Sequence, residues 1–119
     1  MSQSETFELY DLRVSIESIR GTCTCNHQVG DVFELRGGQM SLPGPNASFC
    51  IYALQSTLPL LPAKQRPLQP ADWMHTDTQV ICPDPVCGVV MRIARIGARE
   101  VRHADVSAVP LPTTSGGPE

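Results

Sequence analysis

Alternating apolar and polar positions predict two long strands in this chain. Within Phe7–Ile19, the apolar residues Leu12, Val14 and Ile16 alternate with polar ones, which is the period of a strand with one buried face. A second alternating segment is Gly88–Ile96. We therefore expect both strands to cover a core with one face each.

Shorter apolar segments and turn residues predict the remaining elements. Val32–Leu35 and Thr78–Cys82 are expected to be short strands, and Gln39–Leu42 a short extended piece. Apolar residues at helical spacing, starting at Phe49, predict one helix. Pro59 should kink or end this helix, because proline cannot donate a backbone N–H.

The order strand, strand, helix, strand, strand predicts a small α+β domain, with a mostly antiparallel sheet and one main helix packed on it. The side chains of Asn46–Ser48 are expected to cap the helix, and Trp73 is expected to close one edge of the core. We expect residues 7–104 to form this single domain. Residues 1–6 are then a flexible arm, and residues 105–119, rich in Pro, Ser, Thr and Gly, a disordered tail.

Charge and hydropathy exclude several classes of partner. The formal net charge is -3. The chain has no block of basic residues that could neutralise the phosphates of nucleic acid or of an anionic membrane and so release their counterions. The longest apolar run falls short of the roughly 20 residues that span a bilayer, and the N-terminal residues lack the apolar centre of a signal peptide. We therefore expect a cytoplasmic protein whose thiols stay reduced.

The clearest candidate chemistry is the segment Gly21–Asp31, which holds Cys23, Cys25 and His27 between two predicted strands. The five cysteines of the chain cannot all pair internally, because their number is odd. Thiolates and imidazole are the usual ligands of zinc and of iron. The C-x-C-x-H spacing makes it awkward for all three side chains to bind one ion, whereas Cys23 and His27 alone close around it more easily.

The remaining cysteines could complete a site. Cys50 falls in the first turn of the predicted helix, where free N–H groups and the positive dipole end stabilise a thiolate. That position suits a metal ligand or a nucleophile, and also a side chain that faces the core. Cys82 ends a predicted strand, and Cys87 follows it across a turn with two prolines, a weak match to a metal-binding knuckle.

Taken together, the motifs resemble those of a known family. They are G-x-C-x-x-x-H-x-V-G-D at Gly21–Asp31, F-C-x-Y-A-L at Phe49–Leu54, a later Trp73, and C-P-D-P followed by V-V-x-x-I within Cys82–Ile93. In this order they are similar to a small, largely uncharacterised family of bacterial and archaeal proteins, known chiefly as a conserved hypothetical domain. The resemblance covers nearly all of residues 12–96 and implies no established reaction.

The resemblance does imply a set of site residues. The family pattern carries over to Cys23, His27, Cys50 and Cys82. This chain departs from the pattern in two respects: Asn26 stands where a glycine is usual, and two cysteines, Cys25 and Cys87, are additional.

Three hypotheses follow for the function. The first is a small metal-binding domain with zinc or iron held by Cys23, His27, Cys50 and Cys82, a set that suits tetrahedral Zn²⁺, in an accessory or a catalytic role. The second is a small enzyme in which Cys50 is the nucleophile and His27 its base, with Cys23 or Cys82 as a redox partner. The third is a subunit that binds a protein partner or a second copy of itself, with cysteines that only pack. No small-molecule substrate is indicated.

Overall fold

The computed structural model describes residues 5–112. Within this range the chain forms one five-stranded antiparallel sheet with the spatial order β3-β2-β1-β5-β4. The strands are β1 (Thr6–Ile19), β2 (Val32–Arg36), β3 (Gln39–Ser41), β4 (Gln79–Ile81) and β5 (Val89–Arg102). The helices are α1 (Ile51–Thr57), α2 (Leu61–Lys64) and α3 (His103–Val106), with a 3-10 helix at Trp73–His75. The predicted α+β class is confirmed in this broad form.

The central strand is β1. It pairs with β2 on one side and with β5 on the other, so that Val14 lies opposite both Phe33 and Ile93. Leu12, Val14 and Ile16 are buried on one face of β1. The core forms between this face of the sheet and α1, whose Ala53 is buried in it.

β5 is longer than its hydrophobic pattern predicts. The expected strand ends at Ile96, but pairing with β1 continues until Arg102 lies opposite Thr6. Most side chains of this outer part are exposed. A backbone ladder needs no apolar face to pair, and Arg99 adds an ion pair of 2.8 Å to Asp11 across the two strands. The hydrophobic pattern therefore shows where the core ends, but not where the strand ends.

The predicted cap of the helix is wrong. α1 begins at Ile51, and Cys50 is its N-cap residue. Instead of capping it, Asn46 donates its side-chain N–H to Asp31 Oδ2 at 3.0 Å and accepts a hydrogen bond from Ser48 Oγ. The end of α1 agrees with the prediction, since Thr57 is its last residue and Pro59 follows closely.

The expected role of Trp73 is also wrong, because its side chain is 60% exposed. The chain turns into the 3-10 helix there, with the carboxylate of Asp72 accepting a hydrogen bond from Met74 N at 2.9 Å. This turn buries Met74 instead. The hydrogen bond from Met74 N to Asp72, which caps the 3-10 helix, is thus the local feature that accompanies the burial of Met74 in place of Trp73.

The ends of the predicted domain fall close to the ends of the described chain. β1 begins at Thr6, and α3 includes Asp105 and Val106, at the start of the segment predicted to be a disordered tail. Residues 107–112 of the predicted tail form neither helix nor strand. The remaining parts of the predicted arm and tail, residues 1–4 and 113–119, lie outside the described residues. In the part of the chain that is described, there is no helix long and apolar enough to cross a membrane.

Candidate functional site

Gly21 allows two cysteine-bearing loops to lie directly against each other. Gly21 N donates a hydrogen bond to Cys87 O at 3.1 Å, and Thr22 N donates one to Val86 O at 3.2 Å. A Cβ at Gly21 would lie 1.7 Å from Val86 O, so no larger residue fits without moving a backbone. This close approach brings the Cys23 loop beside the start of β5.

All five cysteines are free thiols, and they lie in one region: four belong to the hydrophobic core or pack against it, and Cys25 lies close to three of these. The side chain of Cys25 lies beside that of Cys50, and the side chain of Cys23 beside that of Cys87. Cys82 is close enough to act electrostatically on both Cys25 and Cys87. The thiols come from the loop after β1, the start of α1 and the connection between β4 and β5.

Cys50 and Cys25 form the more accessible thiol pair. Burial by itself raises the pKa of Cys50, but the backbone N–H groups of Ala53 and Tyr52 and the thiol of Cys25 outweigh it and lower that pKa below its usual value. The partner shifts in the other direction, since its hydrogen bond to Cys50 raises the pKa of Cys25 to about 11. Cys50 is therefore the more acidic thiol of the pair, and Cys25 is the more exposed one.

The second pair, Cys23 and Cys87, lies deeper in the protein. Cys87 and Cys82 are each only 5% exposed and belong to the hydrophobic core, while Cys23 is half-buried against it. Burial raises the pKa of Cys87 to about 12, and the hydrogen bond to Cys23 adds to the shift. At neutral pH Cys87 is a protonated thiol unless a cation joins the cluster.

His27 lies beside the cluster and binds the backbone of Cys50 rather than its sulfur. Its Nε2 accepts a hydrogen bond from Cys50 N at 2.9 Å, and its Nδ1 lies 3.0 Å from Asp31 Oδ2. The ring also packs on Phe49, with 4.5 Å between ring centroids. Both ring nitrogens are thus engaged, which fixes the neutral tautomer with the proton on Nδ1.

Asp31 is the residue that sequence reasoning missed. Its Oδ2 accepts hydrogen bonds from His27 Nδ1, Gln28 N and Asn46 Nδ2, each at 3.0 Å. Burial raises the pKa of Asp31, but these three donors together lower it. The sequence feature that could have indicated it is the spacing of His27 and Asp31, which are four residues apart. We interpreted this segment only as a turn.

Asn26 has a backbone conformation that suits its position. Its φ is 60°, in the left-handed region where glycine is favoured and asparagine is among the best tolerated alternatives. This preference explains how asparagine is accommodated at this position.

The structure brings three of the four predicted ligands, Cys23, Cys50 and Cys82, into the cluster and adds Cys25 and Cys87. The fourth, His27, reaches it only through the backbone of Cys50. Among residues 5–112, no three His, Cys, Asp or Glu side chains are already arranged around a common metal position. Binding an ion would therefore require the thiols to turn toward a shared point.

Exposed apolar side chains adjoin the cysteines in sequence. Ile51 and Tyr52 follow Cys50, and their side chains are 66% and 63% exposed. Val86, which precedes Cys87, is 70% exposed. These side chains are the feature that favours the hypothesis of a partner-binding subunit.

No family model matches this chain, and neither a curated protein nor a solved structure does so. The resemblance to the conserved hypothetical family stays a prediction, and the case for a function depends on the cluster itself.

Proposed function

We propose that the cysteine cluster binds one zinc or iron ion through thiolates. The observation that carries the proposal is the convergence of five free thiols from separate segments of a small domain. Two of them, Cys82 and Cys87, are buried, and several neighbouring thiols can ionise together only if a cation offsets their charge. Thiolate donors in this number suit tetrahedral Zn²⁺ or an iron centre.

The ligand set we propose keeps Cys23, Cys50 and Cys82 and takes its fourth thiolate from Cys25 or Cys87. A change of χ1 between staggered rotamers moves each sulfur without moving the backbone, so the present pairs can turn toward one ion. His27 then has a supporting role, because coordination by Nε2 would break its hydrogen bond to Cys50 N. A histidine that orients a ligand in this way resembles the outer-shell groups of known metal sites.

The test is metal analysis of protein purified without added metal, combined with a visible spectrum and thiol titration. We expect about one metal ion per chain and cysteines that react with a thiol reagent only after a chelator is added. Cys50→Ser should lose the metal, whereas of Cys25→Ser and Cys87→Ser only one should do so. A metal-free protein whose five thiols all react without a chelator contradicts the proposal.

A second candidate function is thiol–disulfide exchange by Cys50 and Cys25. It is favoured by one observation: Cys50, whose thiol pKa is lowered, lies beside the exposed thiol of Cys25. The Cys50 thiolate would attack a substrate disulfide and release one substrate thiolate. The Cys25 thiol would then lose its proton and attack the mixed disulfide, which releases the second thiolate and leaves a Cys25–Cys50 disulfide. The substrate gains the two electrons that the pair loses.

The same preparation separates the two functions. Exchange predicts metal-free protein in which Cys50 alkylates fastest at neutral pH, and mass spectrometry of protein treated with oxidised glutathione should then find a Cys25–Cys50 disulfide. Metal-loaded protein with protected thiols excludes exchange as the main activity.

A further inference from the structure

A cavity of about 230 Å³ lies between α2, the 3-10 helix and β5. No cysteine lines it, so it is separate from the thiol cluster. Six of its lining side chains concern us here: Lys64, Met74, Thr78, Arg92, Ile93 and Arg95. Its walls combine cationic groups with the buried apolar side chains of Met74 and Ile93.

Lys64 is the unusual residue of this cavity, because it is only 3% exposed. Its Nζ donates a hydrogen bond of 2.5 Å to Met74 O. Burial lowers the pKa of Lys64 and nearby Arg95 lowers it further, whereas Asp77 and Asp72 act in the opposite direction. An ammonium has three N–H donors, and this hydrogen bond uses one of them.

Arg95 is held in place by neutral groups. Its Nε donates to Lys64 O at 2.9 Å and its guanidinium to Arg66 O at 2.8 Å, while the ring of Tyr10 lies 4.0 Å from its central carbon. Its positive charge therefore adds to that of Lys64 at the cavity, and these contacts keep the guanidinium in a fixed orientation.

Arg92 completes the cationic wall. Its Nε pairs with Glu17 at 2.7 Å, and its NH1 donates to Thr78 Oγ1 at 3.0 Å. Within residues 5–112, only one of these three cations, Arg92, forms an ion pair with a carboxylate, that of Glu17. Three cationic groups thus surround a concave, partly apolar space, with Glu17 paired to Arg92 and with Asp72 and Asp77 acting on Lys64.

We propose that this cavity binds a small organic carboxylate. Its carboxylate group would accept hydrogen bonds from Lys64 and Arg92, since ammonium and guanidinium donors bind carboxylates more strongly than neutral donors do. Its apolar part would lie against Met74 and Ile93. The cavity volume is below the roughly 300–1,000 Å³ of pockets for drug-sized ligands. The ligand that we propose therefore contains only a few carbon atoms.

The test is calorimetric titration of the full chain at low ionic strength with propionate, succinate and inorganic phosphate. We expect saturable binding of at least one carboxylate and weaker binding of phosphate. Arg92→Gln should weaken carboxylate binding at least tenfold, and Lys64→Met should abolish it. The matched control is Arg99→Gln, on the same strand and equally exposed (47% against 46% for the Arg92 side chain), which should bind as the unaltered chain does.

Several results would overturn the proposal: no saturable binding of either carboxylate, tighter binding of phosphate, or equal weakening by Arg92→Gln and Arg99→Gln. Because Lys64 is buried, Lys64→Met is interpreted only if circular dichroism shows a folded sheet. Arg92 is exposed enough to be replaced without disturbing the core, so its variant decides the matter if Lys64→Met does not fold.

Discussion

The imidazole of His27 accepts a hydrogen bond from the backbone N–H of Cys50 at 2.9 Å. Through Asp31, the same ring is fixed to the end of its own loop. His27 therefore joins the loop that carries Cys23 and Cys25 to the residue at which α1 begins. This hydrogen bond keeps Cys23 and Cys25 close to Cys50, independently of what the cluster binds.

Replacing His27 should loosen the cluster without removing a thiol. In His27→Ala, Cys50 N and Asp31 lose a buried partner, and we expect a loss of roughly 1–3 kcal/mol in the free energy of unfolding. Urea unfolding measures it. The control is His75→Ala, because His75 is exposed and its loss should cost little. Equal stability of the two variants would mean that the His27 link contributes nothing.

Gly21 should be intolerant of any side chain. The Cβ of Gly21→Ala would meet Val86 O at 1.7 Å, so the two loops must separate, at a cost of roughly 1–3 kcal/mol, as for other overpacked sites. We also expect Cys87 to react faster with a thiol reagent. Gly38→Ala is the matched control, since a Cβ there has nothing within 4 Å. A Gly21 variant as stable as the Gly38 variant contradicts the close approach.

The acidity of Cys50 should depend on Cys25. The thiol of Cys25 helps to lower the pKa of Cys50, so in metal-free protein Cys25→Ala should shift the pH profile of Cys50 alkylation to higher pH and slow the reaction at neutral pH. Cys87→Ala should leave that profile in place, because Cys87 is paired with Cys23. An unchanged profile in Cys25→Ala would show that backbone N–H groups alone set the acidity.

Glu34 should make the fold sensitive to acid. It is buried on β2, and hydrogen bonds from Arg36 at 2.6 Å and Arg13 at 2.7 Å lower its pKa from 4.5. A carboxyl whose pKa is depressed on folding contributes stability above its unfolded pKa and loses it as pH falls through the folded value. Glu34→Gln should therefore be less stable than the unaltered chain at pH 7, and the difference should shrink below about pH 4.5.

Unfolding measured from neutral to acidic pH tests this. The control is Glu8→Gln, on an exposed position of β1, which should follow the unaltered chain at every pH. A difference for Glu34→Gln that does not vary with pH would assign its effect to packing rather than to charge.

The sequence predicted those parts of the molecule that depend on local periodicity. Alternation over Leu12, Val14 and Ile16 predicted the first strand and its buried face, because one-sided burial imposes a period of two on the side chains. The position of Pro59 predicted the end of α1, because the missing N–H is a property of that residue. Cys23, Cys50 and Cys82 were chosen as candidate ligands from their places next to predicted strands and the helix, and that choice stays a prediction.

Tertiary contacts decided the rest. Cys25 and Cys87 belong to the cluster because a glycine lets two loops touch and because β4 pairs with β5, and neither contact is visible in residue spacing. The partners of His27 and the burial of Lys64 depend on residues distant in the chain, Cys50 and Met74 among them. A local pattern records which residues avoid water, but the identity of a polar partner is set only when the backbone has folded.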